Sequence, residues 1–241
     1  MHFAAPLIEG RLVRRYKRFL ADVELFDGSM ITAHCANPGS MLGLDAPGSR
    51  VYLSRSDKVG RTLPYSWEIV EAEHDGVPQL IGINTMNPNR LAAEALVANA
   101  IPELVGYEVH RREVKYGKAS RVDFLLEAKG RPPCYLEIKN CHLMRRRGLA
   151  EFPDCVAARS ARHLVELGDM VAAGFRAVNL FVVQMQAETF TLAADLDPAY
   201  AGAAIEAASR GVEIIVATCR VTPQEIVIAG QIPYVAPPLV C

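Results

Sequence analysis

Polar and apolar positions alternate in short runs over the first third of the chain. The runs Leu12–Leu25, Ser29–Cys35, Val51–Ser54, Tyr65–Glu73 and Gln79–Asn84 read as strands, the first with RRYKR inside it. Asp27-Gly28 marks a hairpin turn between the first two. Residues 36–49, rich in Gly and Pro, predict a loop too long for a simple turn. Five short antiparallel strands in under ~100 residues predict a small closed barrel of the OB type, and an SH3-like barrel would give much the same pattern. The polar, turn-rich stretch Asn84–Asn89 separates this unit, residues 1–86, from a second, residues 87–241.

Beyond the break the period changes. Asn89 would cap a helix over Arg90–Ala100, with Leu91 and Ala95 on its buried side. Strands are predicted at Tyr107–Tyr116, Arg121–Leu126 and Cys134–Cys141, then a basic loop over 144–154, then a helix from Asp154, its expected cap, to Ala173. A buried strand over Ala177–Met185, a helix over Pro198–Arg210 and a last strand over Val212–Thr218 follow, and the Pro-rich end after Val221 reads as a surface tail. Strands and helices alternating in this way predict an α/β domain, a mixed sheet covered on both faces, so the whole chain is of α+β type.

At 241 residues and 51% hydrophobic, the chain can build a substantial core. Its six cysteines, at 35, 134, 141, 155, 219 and 241, show no CxxC or zinc-finger spacing and read as reduced thiols of a cytoplasmic protein without structural zinc. The start lacks the pattern of a signal peptide, and the longest apolar run is too short to span a bilayer, so no membrane partner is expected. The net charge of −1 hides a division: residues 89–163 carry +5 and residues 164–241 carry −5. The positive charge surrounds the strands at 121–141, and local asymmetry matters more to a phosphate partner than the total does.

Those strands hold the candidate chemistry. Glu137 and Lys139 lie two apart on one strand and so share a face, and Asp123 lies on the neighbouring strand. Such spacing often means no more than a solvated face or a cross-strand ion pair. Here the charges sit inside the apolar run Cys-Tyr-Leu-Glu-Ile-Lys, where unpaired charges are rarely placed. Two carboxylates beside a lysine make an oxygen-ligand centre for Mg²⁺ or Mn²⁺, the kind that handles phosphate. Candidate phosphate contacts are Arg14, Arg15, Lys17 and Arg18 in the barrel and Lys115, Arg145, Arg146, Arg147, Arg159 and Arg162 beyond it. The barrel strip would equally serve as a charged edge that prevents strand pairing. Arg159, Arg162 and His163 share one helix face, and packing or hydrogen bonding is the expected use of His163.

The order helix, three strands, helix, strand, with an acid on the second strand and ExK on the third, is similar to the PD-(D/E)xK nuclease core. Over nearly its full length the chain resembles the sugar fermentation stimulation protein (SfsA) family. The carrying residues are RYKRFLADV at 15–23, HCANPGSM at 34–41, NTMNPNRLAAEAL at 84–96, EVKYG at 113–117, RVDFLLE at 121–127, YLEIKN at 135–140, FPD at 152–154 and HLVEL at 163–167. The resemblance implies an OB-like barrel followed by a restriction-endonuclease-like domain. It also implies DNA binding that is largely independent of sequence, with a link to sugar (maltose) utilisation. By similarity Asp123, Glu137 and Lys139 match the nuclease signature, and Glu94 matches a helix acid that some relatives use as a further metal ligand. The leading reading is a non-specific DNA-binding protein that carries a nuclease-like metal centre; an active Mg²⁺- or Mn²⁺-dependent nuclease is the alternative, and a scaffold that engages proteins through its acidic end is a third. Homo-oligomerisation is left open.

Overall fold

The computed structural model describes residues 1–117 and 120–237. Six strands come first: β1 (Ile8–Tyr16), β2 (Leu20–Leu25), β3 (Met30–Cys35), β4 (Arg50–Arg55), β5 (Tyr65–His74) and β6 (Val77–Gly82). They order as β3-β2-β1-β4-β5-β6, and a parallel pairing of β3 with β5 closes the first five into a barrel. Leu12, Val23, Leu53 and Trp67 fill it, and Tyr52 is buried as well. At the β2–β3 turn Gly28 has φ +82°, and Asp27 Oδ1 accepts the Ser29 N–H at 2.9 Å.

The run expected as one strand, Leu12–Leu25, is two. The chain reverses at Lys17–Phe19, with Lys17 (φ 47°) and Arg18 (φ 63°) both in the left-handed region. A turn without Gly or Pro left no mark in the sequence; left-handed backbone costs an ordinary residue about 1–2 kcal/mol. Arg15 helps to hold this turn by donating through Nε to the Arg18 carbonyl at 3.1 Å.

The second unit contains α1 (Asn87–Val97), a short 3₁₀ turn at Pro102–Leu104, β7 (Val109–Tyr116), β8 (Ser120–Glu127), β9 (Cys134–Cys141), β10 (Leu143–Arg146), β11 (Leu149–Phe152), α2 (Ala158–Ala172), β12 (Arg176–Val183), β13 (Thr189–Leu192), α3 (Pro198–Ser209), β14 (Glu213–Val221) and β15 (Ile226–Gln231). Its main sheet runs β15-β14-β12-β9-β8-β7; β9, β12 and β14 are parallel, and β7, β8 and β15 antiparallel to their neighbours. Helix α1 packs on one face with Leu136, Ile138, Val178 and Leu180, and α2 and α3 pack on the other with Ala177, Phe181 and Val183. The alternation of β9 therefore puts Ile138 toward α1 and Glu137 and Lys139 toward α2.

Four further local expectations give way. Helix α1 starts at Asn87 with Met86 as its N-cap, so Asn89 is inside the helix and its side chain is free for other work. The stretch 144–154 is not a loop: β10 and β11 form a hairpin across Gly148 (φ 79°), and β11 pairs with β13. Asp154 does not cap α2. The Ala157 N–H goes instead to Asp197 Oδ2 at 2.7 Å, and Asp197 also caps α3 through the Tyr200 N–H at 2.9 Å. The end after Val221 is partly strand, because β15 pairs with β14. Residues 238–241, including Cys241, lie outside the described residues.

Polar contacts join the two units. Asp154 Oδ2 accepts the Met41 N–H at 2.9 Å, and Ser40 Oγ donates to the Asp154 carbonyl at 2.6 Å. Gln184 Nε2 donates to the Asn84 carbonyl at 3.1 Å and to Asn140 Oδ1 at 2.6 Å. A Cβ at Gly39 would lie 2.7 Å from Asp154 Oδ1, so only glycine lets the 37–41 loop come this close.

Candidate functional site

The β8–β9 ladder pairs Leu126 with Cys134, Leu125 with Tyr135 and Phe124 with Leu136, and there it stops. One step on, a side chain replaces the missing backbone partner: Asp123 Oδ2 accepts the Ile138 N–H at 2.7 Å. Its other oxygen accepts from Asn89 Nδ2 of α1 at 2.8 Å. Strand alternation slips at this residue, since Phe124 and Leu126 pack on the α1 side while Val122 packs on the other. Opposite, Glu113 of β7 has φ 53°. The β8–β9 ladder is thus interrupted at Asp123, next to Glu137 and Lys139, and this is the candidate notch.

Glu137 and Lys139 are both buried. Lys139 Nζ donates to Glu137 Oε1 at 2.7 Å, and His163 Nδ1 of α2 bonds the same oxygen. Glu137 Oε2 is buried and has no partner among the described residues; nor do the Tyr116 hydroxyl and Glu166 Oε2. An unmatched buried carboxylate oxygen is expensive unless something arrives to meet it.

The two acids are shifted in opposite directions. Burial, and then the charge of Glu137, push Asp123 above the usual carboxylate range, against the Ile138 N–H and Asn89. Burial would raise Glu137 as well, but the His163 bond and the Lys139 charge outweigh it and hold that group below its usual range. A pair of acids set apart in this way is characteristic of functional sites and of structural ion pairs alike.

Not every residue singled out from the sequence reaches this notch. Glu94 pairs with the Met1 ammonium at 2.6 Å and with Arg90 at 3.4 Å. Five positions after Asn89 on a helix, it is turned well away from the face that meets Asp123. Asn89 occupies that place, and the sequence offered no sign of it beyond helical phase. His163 is buried against Glu137, whereas Arg159 and Arg162 of the same helix are exposed. Glu166, three residues after His163, comes to the same face and was not singled out.

The cations divide into two groups. Arg15 has only 8% of its side chain exposed and donates to the carbonyls of Asn37 (3.0 Å), Gly39 (2.8 Å) and Ser40 (3.1 Å). Arg145 is held by Glu151 at 2.6 Å and by Asp195, and Arg14 by Asp22 at 2.8 Å. The side chains of Lys17, Arg18, Lys115, Arg146, Arg147, Arg159 and Arg162 are exposed and show no hydrogen-bond or ion-pair partner among the described residues. A cleft of about 900 Å³ between the units is lined by Arg18 and Pro38–Ser40 on one side and by Lys139, Asn140, Asp154 and Arg159 on the other.

Family models match both parts of the chain: residues 13–83 fit the SfsA N-terminal OB domain, and residues 86–225 fit the sugar fermentation stimulation protein RE domain. The chain belongs to the SfsA family. Among its relatives, the sugar fermentation stimulation protein homolog of Methylorubrum populi is 58% identical over 99% of this chain and 96% of that protein. The homolog of Methylobacterium nodulans is 57% identical over 98% and 99%. Of solved structures, Pyrococcus furiosus SfsA in complex with Ca²⁺ superposes with a TM-score of 0.85 at 26% identity, covering 97% of each chain. The barrel followed by a mixed α/β domain is thus the SfsA architecture. Among the described residues no helix is long and apolar enough to cross a membrane.

Proposed function

We propose that this SfsA-family chain is a DNA-binding protein whose Asp123, Glu137 and Lys139 form a divalent-metal centre for hydrolysing phosphodiester bonds. The observation that carries the reading is the buried, unpartnered Oε2 of Glu137 beside an Asp123 carboxylate that stands where the β8–β9 ladder is interrupted. No cluster of three or more His, Cys, Asp or Glu suited to a metal occurs among the described residues. Two carboxylates, with the Ile138 carbonyl as third oxygen, still fit Mg²⁺ or Mn²⁺, since Mg²⁺ is commonly held by one or two carboxylates and keeps several waters. The Ca²⁺ complex of the Pyrococcus furiosus relative points the same way.

When bound, the cation would polarise the scissile phosphate and acidify a water. The chain's own residues prepare that chemistry. His163 orients Glu137 and keeps it ionised. Asn89 and the Ile138 N–H fix Asp123. Lys139 supplies a buried positive charge where negative charge builds up on phosphate oxygens. The unpaired cations Lys17, Arg18, Lys115, Arg146, Arg147, Arg159 and Arg162 grip flanking phosphates, so binding is independent of sequence and steeply dependent on salt. Arg14, Arg15 and Arg145 contribute little to DNA, being held by the protein itself. An influence on sugar (maltose) use, in keeping with the family's description, would then follow from acting on or occupying DNA.

One observation favours a second reading, a DNA binder without turnover: Lys139 is paired directly with Glu137, which quenches both. A cleavage assay separates the two. Labelled single- and double-stranded DNA is incubated with protein and Mg²⁺, Mn²⁺ or EDTA, beside Asp123→Ala and Lys139→Ala. Metal-dependent cleavage lost in both variants supports hydrolysis. A salt-sensitive mobility shift with intact DNA in every lane supports occupancy alone.

A further inference from the structure

The turn that the sequence concealed, Lys17–Phe19, borders the cleft through Arg18. Arg18 lines the cleft, and the next residue, Phe19, is 44% exposed. A ring in a barrel of this size is ordinarily spent on the core, as Trp67 is. Phe19 instead lies stacked on His34, with ring centroids 6.4 Å apart and planes 20° from parallel, so its other face is left to solvent. Strand β3, which carries His34, runs on into the Asn37–Ser40 wall of the same cleft. Two consecutive left-handed residues without glycine hold the turn in shape, and such strain persists where the surroundings require that shape.

The cleft reaches Ile138 and Lys139 of β9, the residues that follow and flank Glu137. Arg18 on the barrel side and Arg159 on the α2 side face it without protein partners among the described residues, and Lys139 lines it as well. Its one carboxylate, Asp154, is turned onto the Met41 N–H and His142. Free positive charge thus comes from Arg18 and Arg159, while Lys139 reaches the cleft already paired with Glu137. At about 900 Å³ the cleft is of the size that takes small ligands, roughly 300–1,000 Å³, and both units wall it in. A duplex keeps its base faces covered by stacking and so offers no ring to Phe19. A single strand has exposed base faces and slim, closely spaced phosphates, and stacking on rings tolerates any base.

Resting on the reading of the metal centre given above, we infer that the cleft takes single-stranded DNA: an unpaired base stacks on Phe19, and the following phosphates pass between Arg18 and Arg159 toward Lys139. The substrate class is then an unpaired tail or flap rather than blunt duplex.

Binding in EDTA tests this apart from cleavage. Fluorescence anisotropy compares a labelled single strand of mixed sequence with a blunt hairpin duplex, for wild type, Phe19→Ala and Phe19→Trp. The single strand is expected to bind about tenfold more tightly than the duplex, and Phe19→Ala to lose about that factor on the single strand alone. Phe19→Trp restores it, which a packing role for an exposed ring would not require. Equal affinity for both probes, or an equal loss on both in Phe19→Ala, overturns the inference while leaving the metal centre standing. If neither probe binds at low salt, the DNA reading falls together with it.

Discussion

The carboxylate of Asp123 takes the backbone N–H of Ile138 at 2.7 Å, in the place of a strand partner. One side chain thereby takes over from a β-ladder beside the buried Glu137. This gives Asp123→Asn an unusual expectation. The ionised carboxylate is disfavoured in the folded protein by burial and by Glu137, while an amide retains an acceptor for Ile138. In EDTA near pH 7, Asp123→Asn should therefore melt at or above the temperature of wild type, and it should lose any rise on adding Mn²⁺. Differential scanning fluorimetry with and without the metal checks both halves.

His163 fixes Glu137 without standing in the reacting position itself. Replacing it with Ala should lower metal affinity or cleavage about 10–100-fold, the usual cost of removing a partner that orients a ligand. His163→Gln, which can still donate, should recover part of the loss. A structural role alone would move the melting temperature and leave the metal dependence as it was.

Asp123 and Glu137 titrate away from each other, and so metal binding should depend on pH. A cation must displace the proton that a raised Asp123 retains above its ordinary value near ~3.9. Mn²⁺ affinity is therefore expected to climb with pH through that window and then level off. Calorimetric titrations over a pH series read it directly.

Asp154 makes the opposite linkage. Burial opposes its charge, but His142 and the Met41 N–H hold the carboxyl well below the usual range. A depressed carboxylate adds stability above its unfolded pKa, near ~3.9, and that stability is lost as pH falls toward the folded value. Wild type should lose stability below that pH, and Asp154→Asn should flatten the profile and cost about 1–3 kcal/mol at neutral pH. Gly39→Ala should be destabilising for the same reason, through the clash with this carboxylate, and much less so in an Asp154→Ala background.

The sequence was most informative where one short segment carries its own geometry. Glu137 and Lys139 were legible as a pair because a period of two settles which strand residues share a face; the place of Asp123 was not, because alternation slips there. The alternating runs also announced the closed barrel. What escaped was of two kinds. The Lys17–Phe19 turn lacks Gly and Pro, and strands β10, β11 and β13 are only four residues long. The contacts of Asn89, Asp154 and Gln184 join positions far apart in the chain. Helical spacing correctly put His163 with Arg159 and Arg162, but only the packing of α2 divides that face into a buried histidine and exposed arginines.

Charged residues of one composition likewise separate only in three dimensions. Arg15→Ala should destabilise the fold, because it strands the Asn37, Gly39 and Ser40 carbonyls. Arg146→Ala or Arg159→Ala should leave the melting temperature alone and reduce the slope of log affinity against log salt by about one for each phosphate contact removed.

The most direct measurement is a Mn²⁺ titration of the metal-free protein beside Glu137→Gln, followed by calorimetry or by the paramagnetic signal of the free ion. The account predicts saturable binding by wild type, abolished when the Glu137 carboxylate becomes an amide. Equal binding by the two proteins, or none by wild type near neutral pH, would contradict a metal centre at Asp123 and Glu137.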